Sequence, residues 1–401
     1  MINAKNCPEE WQLCIEKECA GNPAHLVYVH IPFCKQKCLY CDFLSACYAE
    51  DTVEEYFKQL EVEIMNADPK HKEQPVESIF FGGGTPSFPA AEQVCRILER
   101  IKGEFRVLDE AEISLECNPG TIDILKLRQY KKAGFNRISI GLQSAQNKEL
   151  REIGRVHTYE EFLEGFQSAR DAGFLNINVD LMTALPGQSL ESYEETVRKV
   201  VGLNPEHISA YSLIIEEGTE FWNRYHGKPK SGFPSLPEEE TERKMYQRTK
   251  EILLENGYYR YEISNYAKPG RECHNNSGYW KRKNYLGFGL GAASLYWNKR
   301  WNNTELMSQY LLGNIQEKQC QIQQLTIEEQ MEEFMFLGLR LMSGISIEDF
   351  KQCFHKSIEE VYGRQIAKLR KDGLLEMEGD FLRLTEKGID LSNYALADFL
   401  F

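Results

Sequence analysis

Between His25 and Tyr211 the chain repeats one pattern six times: a short apolar, β-branched run, a polar loop, then apolar residues at helical spacing. The runs are His25–Ile31, Ser78–Phe81, Glu112–Glu116, Arg137–Ile140, Asn176–Met182 and His207–Tyr211. Short runs of this kind bounded by turn formers suit buried strands. The stretches between them, such as Thr52 to Met65, Glu149 to Ile153, Tyr159 to Ala172 and Glu191 to Val201, suit helices. Strands alternating with helices imply a parallel sheet with right-handed crossovers. Six units fall short of the eight that close an ordinary barrel. The expectation is an α/β fold on an open, partial (β/α)6 barrel, with its chemistry on the loops that follow the strands.

The first of those loops carries Cys34, Cys38 and Cys41 in a CxxxCxxC run. Three thiolates this close read as ligands of a soft metal or an iron–sulfur cluster, set against three unrelated core cysteines. No fourth cysteine follows; the residue two past Cys41 is Phe43. A structural zinc site closes all four positions, whereas a reactive site keeps one open. Three cysteines on a four-iron cluster leave one iron free for a small chelating ligand, while a zinc-binding scaffold is the reading from another class. The second strand runs straight into Gly82-Gly83-Gly84-Thr85-Pro86-Ser87. Glycines there let backbone amides approach a ligand with no Cβ in the way, although a lone triplet is more often a turn. Glu116, Gln143, Arg155 and Asp180 sit on later βα loops. Each alone suits a helix cap or a solvated loop end; together they suggest a pocket.

The 401 residues carry a formal net charge of -14, which argues against nucleic acid or an anionic membrane as partner. No apolar run approaches a membrane span, and the start lacks the basic and apolar regions of a secretory signal, so a cytoplasmic protein is expected. In that setting the 12 cysteines read as reduced thiols plus one metal site, with Cys7, Cys14 and Cys19 free on a short helical lead-in over residues 1–25. The barrel core is expected over 26–235, ending in the proline-rich linker Lys228 to Pro237. A covering segment, 236–324, holds a helix, a strand-like run Tyr259 to Ala267, the stretch Cys273-His274-Asn275-Asn276, and the glycine-rich Tyr285 to Ala292. Its aromatics suit a wall for a flat apolar ligand or ordinary core, and composition leaves both open. The tail, 325–401, opens with a capping box at Thr326 and Glu329, adds helices from Ser346 and Ser357, and ends in a hairpin turning at Gly379-Asp380. That is a winged-helix shape, and Glu359 and Glu360 on its third helix favour a packing or interaction module over a DNA reader.

The motifs HIPFC, KCLYCDF, FFGGGTPS, SIGLQS, NINVDLMTALPGQ, HISAYSLIIEEGT, YEISNYAKPG and YWKRKNYLGFGLGA resemble the radical S-adenosylmethionine (SAM) superfamily. Within it they resemble the oxygen-independent coproporphyrinogen III oxidase-like family, from about residue 26 to 300, and EEFMFLGLRL with the winged tail resembles that family's C-terminal domain. The resemblance implies a [4Fe–4S] cluster on Cys34, Cys38 and Cys41. It implies SAM contacts from Tyr28, Gly83, Gly84, Thr85 and Glu116. Tyr40, Gln143, Arg155 and Asp180 match further family positions, some of which serve a second SAM in the oxidases. Those oxidases carry CxxxCxxCxC and decarboxylate two propionates of coproporphyrinogen III; the heme chaperones have phenylalanine where Phe43 stands here. Phe43 and the short lead-in place the chain on the chaperone branch. A protein binding a cluster, SAM and heme is implied, served by a reductant protein and delivering heme to respiratory proteins. The alternative is an oxidase or another radical porphyrin-modifying enzyme. Reductive cleavage of SAM is open to either. The chaperones typically carry HNxxYW with histidine as heme contact. Counting back from Tyr279-Trp280 that slot holds Asn275, and His274, one residue earlier, is the candidate heme contact.

Overall fold

The computed structural model describes residues 24–227, 231–313 and 318–400. The lead-in cysteines Cys7, Cys14 and Cys19 lie outside the described residues. Six strands, β1 (His25–Ile31), β2 (Pro75–Gly83), β3 (Arg106–Cys117), β4 (Arg137–Gln143), β5 (Ile177–Thr183) and β6 (His207–Ser212), lie side by side in chain order and all parallel. Helices Glu50–Met65, Ala91–Glu104, Ile124–Ala133, Tyr159–Asp171 and Leu190–Gly202 make the crossovers. This is the open barrel expected of the alternating pattern.

The strands do not read as uniformly apolar, because their two faces differ. Val27, Val29, Ile79, Phe81, Leu115, Ile138, Ile140, Val179 and Leu181 are wholly buried and form one core with the helices. Their alternate neighbours point into the barrel and are polar: Glu112, Ser114, Glu116, Arg137, Ser139, Asn178, Asp180, His207 and Ser209. Successive strand residues face opposite ways, so one register sorts the whole barrel into an oily outside and a polar lumen.

Beyond β6 the run Tyr259 to Ala267 is not one strand. It breaks into β7 (Tyr259–Arg260) and β8 (Asn265–Ala267), an antiparallel pair with β8 laid on β6. The break is held by Glu262, whose carboxylate accepts from the Ser264 N–H at 3.0 Å and from the Asn265 amide. After helix His274–Trp280, β9 (Tyr285–Phe288) joins the free side of β1 as a seventh parallel strand. β10 (Ala293–Tyr296), β11 (Lys299–Asn303) and β12 (Gln319–Gln324) continue the sheet antiparallel to an edge. The first half of the glycine-rich aromatic stretch, Tyr285–Phe288, is therefore strand, and with β10 to β12 the sheet reaches 12 strands.

The tail has its own core, in which Phe350, Tyr362 and Leu369 are fully buried. Helices Ile327–Gly338, Ile347–Phe354 and Ile358–Lys371 pack with β13 (Ile345–Ser346), β14 (Leu375–Glu378) and β15 (Phe381–Leu384), the hairpin turning at Gly379 with φ +59°. Glu333 ties this unit to β11 through Arg300 and to the turn before β9 through Arg282, both at 2.7 Å. Among the described residues no helix is long and apolar enough to cross a membrane.

Candidate functional site

At the C-terminal ends of β1 to β6 a cleft of about 290 Å³ opens into the lumen. Cys34, Cys38, Tyr40, Cys41, Gly83, Gly84, Thr85, Glu116, Gln143, Arg155 and Asp180 all line it. Residues up to 146 positions apart in sequence, Cys34 and Asp180, thus share one wall system.

The cysteine loop and the glycine loop are stitched together. Thr85 N–H donates to Phe33 O and Gly84 N–H to Ile31 O, both at 2.9 Å. Cys34 N–H donates to Ala46 O at 3.1 Å, and Ala46 N–H to Pro32 O at 3.0 Å, closing the base of the loop. The glycines are dictated by what surrounds them. A Cβ at Gly84 would lie 3.0 Å from the Cys34 sulfur and from Phe33 N, and one at Gly83 would lie 2.6 Å from the His30 ring. Gly83 also has φ +114°, a conformation side chains disfavour. His30 cannot yield easily. Its Nε2 donates to Leu44 O at 2.8 Å, which leaves Nδ1 to accept from the Tyr28 hydroxyl at 3.1 Å. Tyr28 is thereby committed beneath Gly82 and does not itself line the cleft.

Three thiols with no disulfide face this space. Cys34 Sγ lies 3.6 Å from Thr85 Oγ1, and Arg155 Nη1 lies 3.6 Å from Cys38 Sγ. Burial pushes the Cys41 thiol up, with the Phe43 backbone amide opposing. Among the described residues no three His, Cys, Asp or Glu side chains are close enough to hold a single metal ion. The three cysteines border the cleft from one loop, where they can serve as thiolate ligands of an iron–sulfur cluster.

The opposite wall is acidic. Glu116 Oε2 accepts from Gly83 N–H at 3.2 Å. Burial, with the Asp180 charge adding, pushes Glu116 up to about 8, against the relief given by Gly83 N–H and Arg137. Asp180 is also raised by burial, opposed by hydrogen bonds from Asn178 at 2.7 Å and Ser139 at 3.2 Å. Two carboxyls held this way can meet an ammonium group or ribose hydroxyls. Arg155 is fixed by Gly141 O at 2.5 Å and offers its guanidinium to a carboxylate. Gln143 holds φ +74°, rare for a residue with a side chain, and its amide oxygen accepts from Tyr211 at 3.1 Å. The glycine cradle, the carboxyl pair, the arginine and the three thiols fit a cluster with SAM beside it.

Ser139, Tyr211 and His30 belong to this machinery and were not singled out from the sequence. Each lies on a strand at an inward position, so the polar alternation along those strands was the signal that could have found them. His274 is placed elsewhere. It opens helix His274–Trp280, and its backbone N–H donates to Glu112 Oε1 at 3.0 Å, four residues before Glu116 on β3. Four strand residues amount to roughly 13 Å. Gly278 of the same helix sits against Leu26 at the start of β1. The helix stoppers the N-terminal mouth of the barrel, with the His274 side chain exposed and outside the cleft.

Comparison with known proteins agrees with this geometry. Residues 28–200 match the radical SAM superfamily, and residues 325–391 match the HemN C-terminal domain. The chain is 36% identical to the heme chaperone HemW of Lactococcus lactis over 93% of its own length and 96% of that protein. For the heme chaperone HemW of Bacillus subtilis the identity is 37%, over 93% of this chain and 98% of that one. For that of Escherichia coli it is 32%, over 94% and 98%. The solved structure of E. coli coproporphyrinogen III oxidase (HemN), a radical SAM enzyme, superposes with a TM-score of 0.82 over 98% of this chain and 93% of that one. At 24% identity that likeness speaks to the fold. On its sequence relatives, the chain belongs to the heme chaperone HemW family of the radical SAM superfamily.

Proposed function

We propose that this protein is a radical-SAM-type heme chaperone, which binds heme and passes it to respiratory proteins. The observation that carries the proposal is the likeness to proteins named heme chaperone along 93% of the chain, cysteine loop and winged tail included. Superfamily membership implies a [4Fe–4S] cluster and SAM. In this reading Cys34, Cys38 and Cys41 hold the cluster. Gly83, Gly84 and Thr85 seat the methionyl end of SAM, Arg155 its carboxylate, and Glu116 and Asp180 its ammonium or ribose groups. Tyr28 acts through Gly82 and His30, and Tyr40 and Gln143 close the sides. When bound, the cluster supplies the electron for reductive SAM cleavage. Phe43 stands where the oxidases have their fourth cysteine, and it is 64% exposed at the rim. A phenyl ring there supplies no ligand and leaves an apolar lip.

The test is an anaerobic hemin titration of cluster-reconstituted protein, beside an assay for conversion of coproporphyrinogen III. Saturable hemin binding with no porphyrinogen conversion is the expected result. Conversion of coproporphyrinogen at catalytic rates would replace the chaperone reading with an oxidase.

A further inference from the structure

A second cavity, of about 660 Å³, lies on the outer face of the sheet and shares no residue with the cleft. Its roof is the corner between helix Glu50–Met65 and the short helix Pro69–Glu73, and its walls are β9 to β12. We propose that this cavity binds a flat, iron-holding tetrapyrrole, with Trp297 and Trp301 as stacking walls and His71 as the iron ligand. The proposal rests on the chaperone reading above and gives the cargo its site.

Size comes first. The volume falls within the range of small-molecule sites and exceeds that of the cleft more than twofold. The sheet side is aromatic: Phe288, Tyr296 and Trp301 are at most 8% exposed, yet they border the void. On the roof, the His71 ring lies 4.0 Å from that of Tyr296 and 6.3 Å from that of Trp301, nearly parallel to the latter at 17°. Burial lowers its pKa, with Lys299 adding and Asp68 opposing, so the imidazole is neutral at pH 7 and able to bind iron. Its ring borders the cavity, so a turn of the side chain can aim a nitrogen into it.

Trp297 is the second, independent sign. Tyr296 and Lys299 pair across a two-residue turn made of Trp297 and Asn298, with φ +49° and +60°. Such turns need left-handed residues at both positions, and asparagine or glycine supplies them at little cost. A bulky indole does not. The turn is pinned all the same, Trp297 N–H donating to Asn284 Oδ1 at 3.1 Å, and the strained indole is kept on the cavity rim. Strain held in this way clusters at ligand clamps. Lys299, exposed on the same rim, offers a cation to the carboxylate arms such a macrocycle carries. The floor makes no competing demand for a cation, because Glu63 is satisfied by Asn303, Tyr310 and Gly289 N–H.

The test is a hemin titration of the full chain, cluster-reconstituted and anaerobic, followed in the Soret band and by tryptophan quenching. Wild type is compared with His71→Ala, Trp297→Gly and His274→Ala. His71→Ala is expected to weaken binding at least tenfold and shift the Soret maximum. Trp297→Gly is expected to weaken it several-fold with the maximum unmoved. Because glycine relieves the left-handed strain, that variant keeps the test decisive even where His71→Ala loosens the helix corner. Cluster absorbance and SAM binding should match wild type in both. If wild type binds saturably but both cavity variants stay within twofold of it, this site is refuted and the chaperone reading stands. Loss of binding in His274→Ala with the cavity variants unaffected refutes it too and moves heme to the barrel's other mouth. No saturable binding by wild type overturns the chaperone reading, and this site with it.

Discussion

Gly83→Ala should damage the protein in a way that can be taken apart. The position has φ +114°, and a new Cβ would lie 2.6 Å from Cε1 of His30 and 2.7 Å from its Nδ1. The backbone conformation alone costs an L-residue about 1–2 kcal/mol. A flexible neighbour could swing aside, but the His30 ring is clamped between Leu44 O and the Tyr28 hydroxyl. Moving it breaks two hydrogen bonds worth about 0.5–1.5 kcal/mol each. The expected loss is about 2–5 kcal/mol, a large share of the stability of an ordinary fold. Urea denaturation followed by circular dichroism measures it, with SAM binding titrated on the same samples. Gly103→Ala is the control: it sits in a helix, its new methyl group would have no neighbour within 4 Å, and it should gain roughly 0.5 kcal/mol. A double-mutant cycle with His30→Ala separates the parts, because removing the ring should recover the collision but not the backbone cost. A Gly83→Ala protein within 0.5 kcal/mol of wild type would refute the claim that the cradle is fixed by His30.

Three further outcomes follow from the same geometry. Cys38→Ala should abolish the cluster's absorbance after reconstitution while leaving the fold intact by circular dichroism; an unchanged spectrum sinks the assignment of the three cysteines. Glu116 binds its proton more tightly in the folded state, from an ordinary 4.5 up to about 8, so wild type should lose stability as pH rises through that window. The loss is roughly 2–4 kcal/mol, reduced from the full shift because the carboxyl meets cleft water, and Glu116→Gln should flatten the slope in parallel urea titrations. In the tail, Ser357 accepts from Glu360 N–H at 3.2 Å while the Glu360 carboxylate accepts from Ser357 N–H at 3.0 Å. Ser357→Ala should cost about 1 kcal/mol by the same assay, and a neutral result would show that the third helix needs no cap.

What could be read in the sequence is what depends on near neighbours. The strand–helix alternation, the cysteine spacing, the glycine run and the capping boxes are each written within a few residues, and the fold they imply is the fold observed. What depends on register across the sheet stayed hidden. Ser139 and Tyr211 become site residues because β4, β5 and β6 align with Ser139 opposite Asn178 and Met182 opposite Tyr211. For Tyr285 to Ala292, composition leaves ligand wall and ordinary core both open, and that Tyr285–Phe288 is a strand emerges only when β1 is seen to offer it a parallel partner, Val27 opposite Leu286. The Tyr259 to Ala267 run has strand composition throughout, but the Glu262 carboxylate captures the backbone in its middle. His274 sits in a motif whose spacing invites comparison with a heme ligand. Its position at the far mouth of the barrel follows from Glu112 accepting the helix's first amide, a contact between residues 162 positions apart.

The two mouths of the barrel are nonetheless joined by one line of hydrogen bonds, and its polarity can be worked out. Asn178 Nδ2 donates to Asp180 Oδ1 and to Ser139 Oγ, both at 2.7 Å, so Asn178 Oδ1 must be the acceptor from His207 Nδ1 at 2.6 Å. His207 Nε2 then carries no proton and accepts from Tyr261 Oη at 2.9 Å, while that oxygen accepts from Cys273 N–H at 3.3 Å. A neutral imidazole is what its burial and the nearby Arg137 charge require, since both lower its pKa. His207 is therefore the middle link of this line, between Tyr261 on the side of the helix and Asn178 on the side of the carboxyl. His207→Phe fills the space and removes both bonds, leaving the Tyr261 hydroxyl without its acceptor and Asn178 Oδ1 with Ser209 alone at 3.2 Å. Two buried groups left short cost about 1–3 kcal/mol each. Urea denaturation should register that loss, and SAM affinity should fall as well, because Asn178 no longer has a fixed orientation toward Asp180. If stability drops but SAM affinity holds, the line supports the barrel without setting the cleft, and Asp180 keeps its orientation through Ser139 and Ser209 without help from His207.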